Sequence, residues 1–498
     1  MFNLLALSDQ PVEAVALAAA LSPYLGKLQT LTDGLAVPEA VLEQAMALCA
    51  SVMAGEGDPF ADLRRAKALA HVAIAASDLS GRASLSQTTQ SITEFADAAV
   101  KAALSAALRE RELAPDGLFV FALGKMGAFE LNYSSDIDVS VFFDPDRFEG
   151  GDYEAADAAA RVIRRMTSIL QDRTRDGYVF RTDLRLRPDP SSTPVAVSTK
   201  RAELYYDSVG QNWERMVWIK GRCAAGDEVA ANAFLQTMQP FVWRRHLDYW
   251  AIADVHAIKN MINVKAGDKS LHDVAADLKL GPGGIREIEF FVQTQQIILG
   301  GRHPDLRVRG TLEGLQALVD LGSVSEETAA DLSQAYTALR MVAHRIQMID
   351  DAQTHTLPAF ENKRASVAAL CGYSDLDRFD ADLIAVRKSV HSHYRDLFAD
   401  ETRKRESAVD GNLVFTGVDD DPETLQTLSD LGFSAPAQVI DRIRQWHRGR
   451  TPATRTTRGR ELLTAFLPDL LAAMAQTGEA DEAFRQSGRF FEGLKSGV

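Results

Sequence analysis

Two aspartates one residue apart stand at the head of an apolar run, Asp136-Ile137-Asp138-Val139-Ser140-Val141-Phe142-Phe143. In an extended strand Asp136, Asp138 and Ser140 share one face, while Ile137, Val139 and Val141 share the other. Two carboxylates on one face repel each other unless a cation lies between them. Oxygen-only donors of this kind suit Mg²⁺, which is held by one or two carboxylates together with substrate phosphates. An acidic edge strand kept soluble by its charges reads the same way, but a Gly-rich turn upstream weighs against that. Gly124-Lys125-Met126-Gly127 follows the short β-rich run 118–123, where a buried strand must turn, and reads as strand, turn, then one or two helical turns. The backbone N–H groups of such a turn, with the Lys125 ammonium beside them, favour phosphate oxygens. It is not a Walker A sequence, since the second Gly lacks the following Lys and Ser or Thr.

A third carboxylate comes from 178–186, YVFRTDLRL. Read as a strand, it places Phe180, Thr182, Leu184 and Leu186 on one face and Arg181, Asp183, Arg185 and Arg187 on the other. A surface ladder of charges is the plain reading. Beside Asp136 and Asp138, Asp183 becomes a third ligand with phosphate-binding arginines next to it. Such a set would hold two cations and clamp the attacking and leaving oxygens of an in-line phosphoryl or nucleotidyl transfer.

These strands need support, and most of the 498 residues are available to give it. The length implies two to four domains. Residues 12–108 are Ala- and Leu-rich at helical spacing, with 61–70 and 91–104 reading as amphipathic helices. Residues 152–172 form a helix that connects the acidic strands and covers the sheet, giving a small mixed α/β unit. From 232 to 402 the pattern is helical again, interrupted at Gly281-Pro282-Gly283-Gly284, which reads as a tight turn in preference to a nucleotide contact. Ile285, Ile288, Phe291, Val292, Gln295, Ile298 and Leu299 then trace one face, leaving Arg286, Glu287 and Glu289 on others. The tract 205–222, with Trp213, Glu214, Arg215, Lys220 and Arg222, reads equally as an aromatic-rich helix closing the sheet or as a phosphate contact. Asp350, Asp351 and His355 lack metal-ligand spacing. The charged run 401–411 marks a boundary.

The words GKMGAFELNYSSDIDV, VFRTDLRLRP, YYDSVGQNWERMVWIKGR, KLGPGGIREIEFFVQ and RIQMIDDAQTHTLP together resemble the glutamine synthetase adenylyltransferase and adenylyl-removing enzymes, within the DNA-polymerase-β-like nucleotidyltransferases. The resemblance implies a predominantly α-helical α+β fold, with a small mixed-sheet nucleotidyltransferase domain embedded between helical domains. The implied division is helical support at 1–110, catalytic domain at 111–225, helical bundle at 226–405, and the start of a helical linker domain at 406–498. Position by position it carries Asp136, Asp138 and Asp183 over as catalytic metal ligands for Mg²⁺, two ions in all. Gly124, Lys125, Ser135, Arg185 and Arg187 follow as nucleotide or phosphate contacts. Pro282 stands where many members have Arg, and Ala128 replaces a common Gly; both bear on loop geometry outside the carboxylates.

Family members carry two nucleotidyltransferase halves, and the wording from Asn132 to Asp138 looks like the amino-terminal, adenylyl-removing one. A fragment and a protein that has lost the second activity are the two readings of a chain with one half. The implied reaction is phosphorolysis of adenylyl-tyrosine on glutamine synthetase, using orthophosphate and yielding an adenine nucleotide, with PII-type signal proteins, uridylylated or not, as regulatory partners. Two alternatives stand beside it: ATP-dependent adenylylation of glutamine synthetase or another target, and a nitrogen-signal binding module without catalysis. The net charge of −15 argues against a nucleic-acid partner. Three scattered cysteines, Cys49, Cys223 and Cys371, imply reduced thiols. No apolar run nears the roughly 18 residues of a membrane span, so no membrane association is expected and a cytoplasmic location is.

Overall fold

Every residue of β1 (Leu118–Ala122) is apolar and buried, so this strand needs partners on both edges and cover on both faces. In a computed structural model of the chain, which describes residues 2, 5–28, 30, 37–148, 151–244, 271–403, 413, 422–447 and 457–493, β1 has both. β2 (Ile137–Phe143) pairs with it antiparallel, from Leu118 opposite Phe143 to Ala122 opposite Val139. Two short strands, β3 (Thr182–Asp183) and β4 (Ala196–Ser198), lie parallel to β2. β5 (Arg222–Gly226) closes the other edge of β1 antiparallel. The sheet is therefore mixed and small, and helices make up most of the remainder, as expected of a predominantly α-helical α+β fold.

Alternation along the central strands sorts their side chains into two cores. Val120, Ile137, Val139 and Val141 face the helices Pro59–Leu79, Leu85–Arg109 and Gly151–Gln171, in one apolar cluster with Phe95, Val162, Ile163 and Met166. On the opposite face Phe119, Phe121 and Phe142 pack with Trp218 and Phe234, the closest rings being Phe142 and Phe234 at 4.8 Å. Burying both faces explains why Ser140, expected beside the aspartates on a polar face, is fully buried. The helix Gly151–Gln171 covers the sheet where the spacing placed it.

The supporting helices begin at identifiable caps. Asp58 accepts from the Phe60 N–H at 2.8 Å and is followed by Pro59; Ser84 and Gln87 form a reciprocal capping box; Ser325 caps the long helix Glu326–Asp350. Each cap satisfies N–H groups that the first turn leaves unpaired. Asp78, on the first of these helices, meets Arg345, on the last, in a bidentate pair at 2.6 and 2.8 Å. Both side chains are at most 4% exposed, so removal of one partner would strand a buried charge, at a cost of about 3–5 kcal/mol.

The sequence and structure differ in three further places. The expected strand over 178–186 shrinks to Thr182–Asp183, because Val179 and Phe180 hydrogen-bond back to the Leu170 carbonyl and Arg187 draws the chain after Leu184 into a loop. The helix Ile285–Leu299 is buried on several faces, with Glu287 inside, where it accepts from the Gly283 N–H at 3.1 Å. The tract 205–222 splits into two helices and the start of β5. The run 401–411 falls largely outside the described residues. A first compact unit lies within Met1–Arg245 and Asp268–Tyr394. A second, with its own core of Leu428, Ile440, Ile443, Trp446, Leu467 and Leu471, follows Arg395.

Two histidines of the first unit are held neutral. Burial, reinforced by the Lys67 charge, lowers His71 to about 3, and burial with the Arg340 and Arg345 charges holds His344 well below the usual range. Between pH 6.5 and about 3 the unfolded chain binds a proton at His71 that the folded ring does not, and His344 acts in the same direction. Stability from both sites is therefore complete above pH 6.5 and is lost as pH falls, by up to about 1.4 kcal/mol per pH unit for each ring. Urea unfolding at stepped pH should show this slope, and His71→Gln should flatten it.

Candidate active site

The register between β2 and β3 builds the site. Parallel pairing sets Ile137 beside Thr182 and Asp138 beside Asp183, and Asp136 precedes β2 directly. One carboxylate oxygen from each of Asp136, Asp138 and Asp183 lies within 4.8 Å of the others, and all three residues are half-buried. At an effective dielectric constant near 20, each pair of such charges repels by roughly 3 kcal/mol. The strain appears at Asp138, which is pushed up to about 6 by burial and by the Asp136 charge, with Lys125 opposing and Asp183 adding. Asp183 moves down, because the Arg185 side chain hydrogen-bonds it through Nε at 2.9 Å and its own backbone N–H donates at 2.8 Å.

The Gly turn fits against this set. Gly124 opens the single helical turn Gly124–Gly127 with φ +51°, and a Cβ there would lie 2.4 Å from Asp138 Oδ2. At Gly127 a Cβ would lie 2.0 Å from the Lys220 carbonyl oxygen. The Leu123 N–H donates to the Asp138 carbonyl at 2.9 Å. Backbone thus approaches backbone where any side chain would wedge the acids apart.

The loop leading into Asp136 is held residue by residue. Asn132 Oδ1 accepts from Arg340 Nε at 3.1 Å and from His344 Nε2 at 3.2 Å. The Tyr133 hydroxyl donates to Asp78 at 3.3 Å, and the Ser134 N–H donates to Gln347 Oε1 at 2.9 Å. Arg340 also donates to the Glu130 carbonyl, and Arg181 to that of Ser134, each at 2.5 Å. None of these clamps was singled out from the sequence. The available signal is four polar residues, Arg340, His344, Arg345 and Gln347, inside the otherwise apolar run of a buried helix, because polar groups are buried only when paired.

The remaining sequence-derived residues are placed as follows. Lys125 is half-buried and is lowered to about 7 by burial and by the Lys279 and Arg340 charges, against Glu289 and Asp138. Ser135 is buried, with its N–H on the Asn132 carbonyl. Arg185 sits at the triad with 82% of its side chain exposed. Arg187 is turned to other work: its guanidinium donates to the carbonyls of Leu184, Pro190 and Thr193 and knits that loop. In the 205–222 tract the structural reading prevails. Lys220 pairs with Glu130 at 2.7 Å, Arg222 bridges Asp97 and the Met126 carbonyl, and Trp218 lies in the aromatic core.

Residues 4–237 match the family model of glutamate-ammonia ligase adenylyltransferase, and residues 256–398 that of GlnD PII-uridylyltransferase. A bifunctional glutamine synthetase adenylyltransferase/adenylyl-removing enzyme of Caulobacter vibrioides is 50% identical over 96% of this chain and 51% of its own length. Enzymes of the same name from Rhizobium meliloti and Agrobacterium fabrum are 44% and 46% identical, over 99% and 89% of this chain and 52% and 46% of their own lengths. The chain belongs to the glutamine synthetase adenylyltransferase family. It spans about half the length of the curated relatives it matches.

Seen within this family, the donor set suits a hard divalent cation: it is all oxygen, and it carries excess negative charge that Lys125 and Lys279 at Asp138, and Arg185 at Asp183, offset in part. Asp138→Asn should abolish Mn²⁺ binding measured by titration calorimetry or electron paramagnetic resonance. Gly124→Ala, which moves Asp138 without changing a ligand, should weaken that binding by about 10–100-fold.

Proposed function

We propose that this chain removes AMP from adenylyl-tyrosine of glutamine synthetase by Mg²⁺-dependent phosphorolysis, releasing ADP. The observation that carries the reading is the β2–β3 register that sets Asp183 beside Asp138 within one carboxylate triad. The direction rests on the resemblance of the Asn132 to Asp138 wording to the adenylyl-removing half, and the names of the relatives support the target.

Asp136, Asp138 and Asp183 would hold the cations, two in the full site. When bound, these supply charge neutralisation to the attacking phosphate and the tyrosyl leaving oxygen. The protein's own residues do the rest. The clamps from Arg340, His344 and Gln347 fix the loop that delivers Asp136, and fixed geometry lowers the reorganisation cost of the reaction. Arg185, bonded to Asp183 and exposed on its other side, would offer guanidinium donors to a phosphate oxygen of the substrate. An oxygen of hydrogen phosphate forms a bond to the α-phosphorus as the tyrosyl oxygen leaves. The tyrosyl oxygen takes up the proton that the attacking phosphate gives up, so that ADP and a free tyrosine are released. No side chain is needed as general base, because the nucleophile is anionic near neutral pH.

The match of residues 256–398 to a PII-uridylyltransferase model supports PII-type proteins as regulators. Among the described residues no helix is long and apolar enough to cross a membrane, in keeping with a cytoplasmic target. Incubation with adenylylated glutamine synthetase, Mg²⁺ and orthophosphate should release ADP only when phosphate is present, and Asp136→Asn should abolish the release. Pyrophosphate release from ATP on addition of unmodified glutamine synthetase, with no ADP in the first assay, would assign the opposite direction.

A further inference from the structure

Beyond the triad, charges from the helical part of the first unit act on Lys125. Lys279 lies in the turn before the helix Ile285–Leu299, and Glu289 lies on that helix. Three bonds tie the turn to the site. The Leu278 N–H donates to the His355 carbonyl at 2.9 Å, His355 Nε2 lies 3.5 Å from Gln347 Nε2, and Gln347 Oε1 holds the Ser134 N–H at 2.9 Å, two residues before Asp136. Asp277 fixes the turn from the other side by accepting from the Lys279 and Leu280 N–H groups at 2.8 Å.

The charges here do not cancel in pairs. Lys125, Lys220, Lys279 and Arg340 all act on Glu289. Lys220 is spent on the Glu130 carboxylate, and Arg340 on the Glu130 carbonyl, Asn132 and Tyr336. The side chains of Lys125, Lys279 and Glu289 have no hydrogen-bond or ion-pair partner among the described residues, and all three residues are half-buried. Two unpaired ammoniums with one unpaired carboxylate, half-buried together, carry a net positive charge that suits an anion. A resident structural ion pair would have closed on itself, as Lys67 does with Asp351 at 3.0 Å.

We propose that Lys279 and Lys125 form the anion site for a phosphate group of the substrate, with the Glu289 carboxylate limiting how tightly the empty site holds an anion. The occupant is a phosphate, either free orthophosphate or the phosphate of AMP. The inference rests on the proposed function for its place in the reaction but not for its test, which reads binding.

The test is equilibrium binding of orthophosphate and of AMP to the full chain in Mg²⁺, without glutamine synthetase. Lys279→Gln should weaken binding at least tenfold, Glu289→Gln should tighten it, and Lys363→Gln, on an exposed helix, should leave it unchanged. A loss of packing would weaken both site variants, so the opposite signs separate charge from structure. A tenfold loss confined to orthophosphate assigns the site to the attacking phosphate; one confined to AMP assigns it to the nucleotide. Unchanged affinity for both in Lys279→Gln, or weakened binding in Glu289→Gln, would overturn the proposal. Absent ADP release with intact, Lys279-dependent binding would sink the proposed reaction alone.

Discussion

Three carboxylates gathered within 4.8 Å repel one another, and nothing about their own chemistry keeps them together. The rest of the first unit is arranged to resist that repulsion. Two of the acids are pinned by strand pairing, which fixes backbone and not side chain, so their separation is set by the hydrogen-bonded register of β2 and β3. The third is delivered by a loop, which has no such ladder. Its position must be supplied from outside, and the long helix Glu326–Asp350 supplies it.

That helix also explains the unusual polarity of the interior. Arg340, His344, Arg345 and Gln347 are all buried, where unpaired polar groups would cost free energy. Each is paired, and three of the four pairings end on the loop that enters the acidic strand. The network is therefore structural in its bonds and functional in its consequence: it converts the rigidity of a helix into the placement of one carboxylate. The Asp78–Arg345 pair extends the same network to the amino-terminal helices, which also hold the loop directly where Asp78 accepts from Tyr133.

Much of this was legible in the chain. The two-residue spacing of Asp136 and Asp138, the Gly turn and the apolar runs around them led to the right strands, because period-two alternation and turn chemistry are local properties. Asp183 was found for the same reason, although its strand is far shorter than its alternation suggested; the arginine at 187 forms a loop that local pattern does not foretell. Arg187 and the Lys220 to Arg222 tract show the limit most plainly. An arginine bound to carbonyls and an arginine awaiting phosphate are identical in sequence, and only the third dimension distinguishes them. Lys279 and Glu289 were passed over because their neighbours lie far away along the chain.

The order in which these parts leave the ribosome differs from the order in which they are needed. All three acids have been synthesised by residue 183, and β5 completes the sheet by residue 226, but Gln347 and Arg340 come more than a hundred residues later. A nascent chain therefore carries the acidic cluster for some time without the helix that orders its loop. Long-range contacts of this kind close slowly, since chain entropy must be overcome before they repay it. The acidic cluster thus exists as sequence well before it exists as a site, and the half-made chain carries its carboxylates without the geometry to use them.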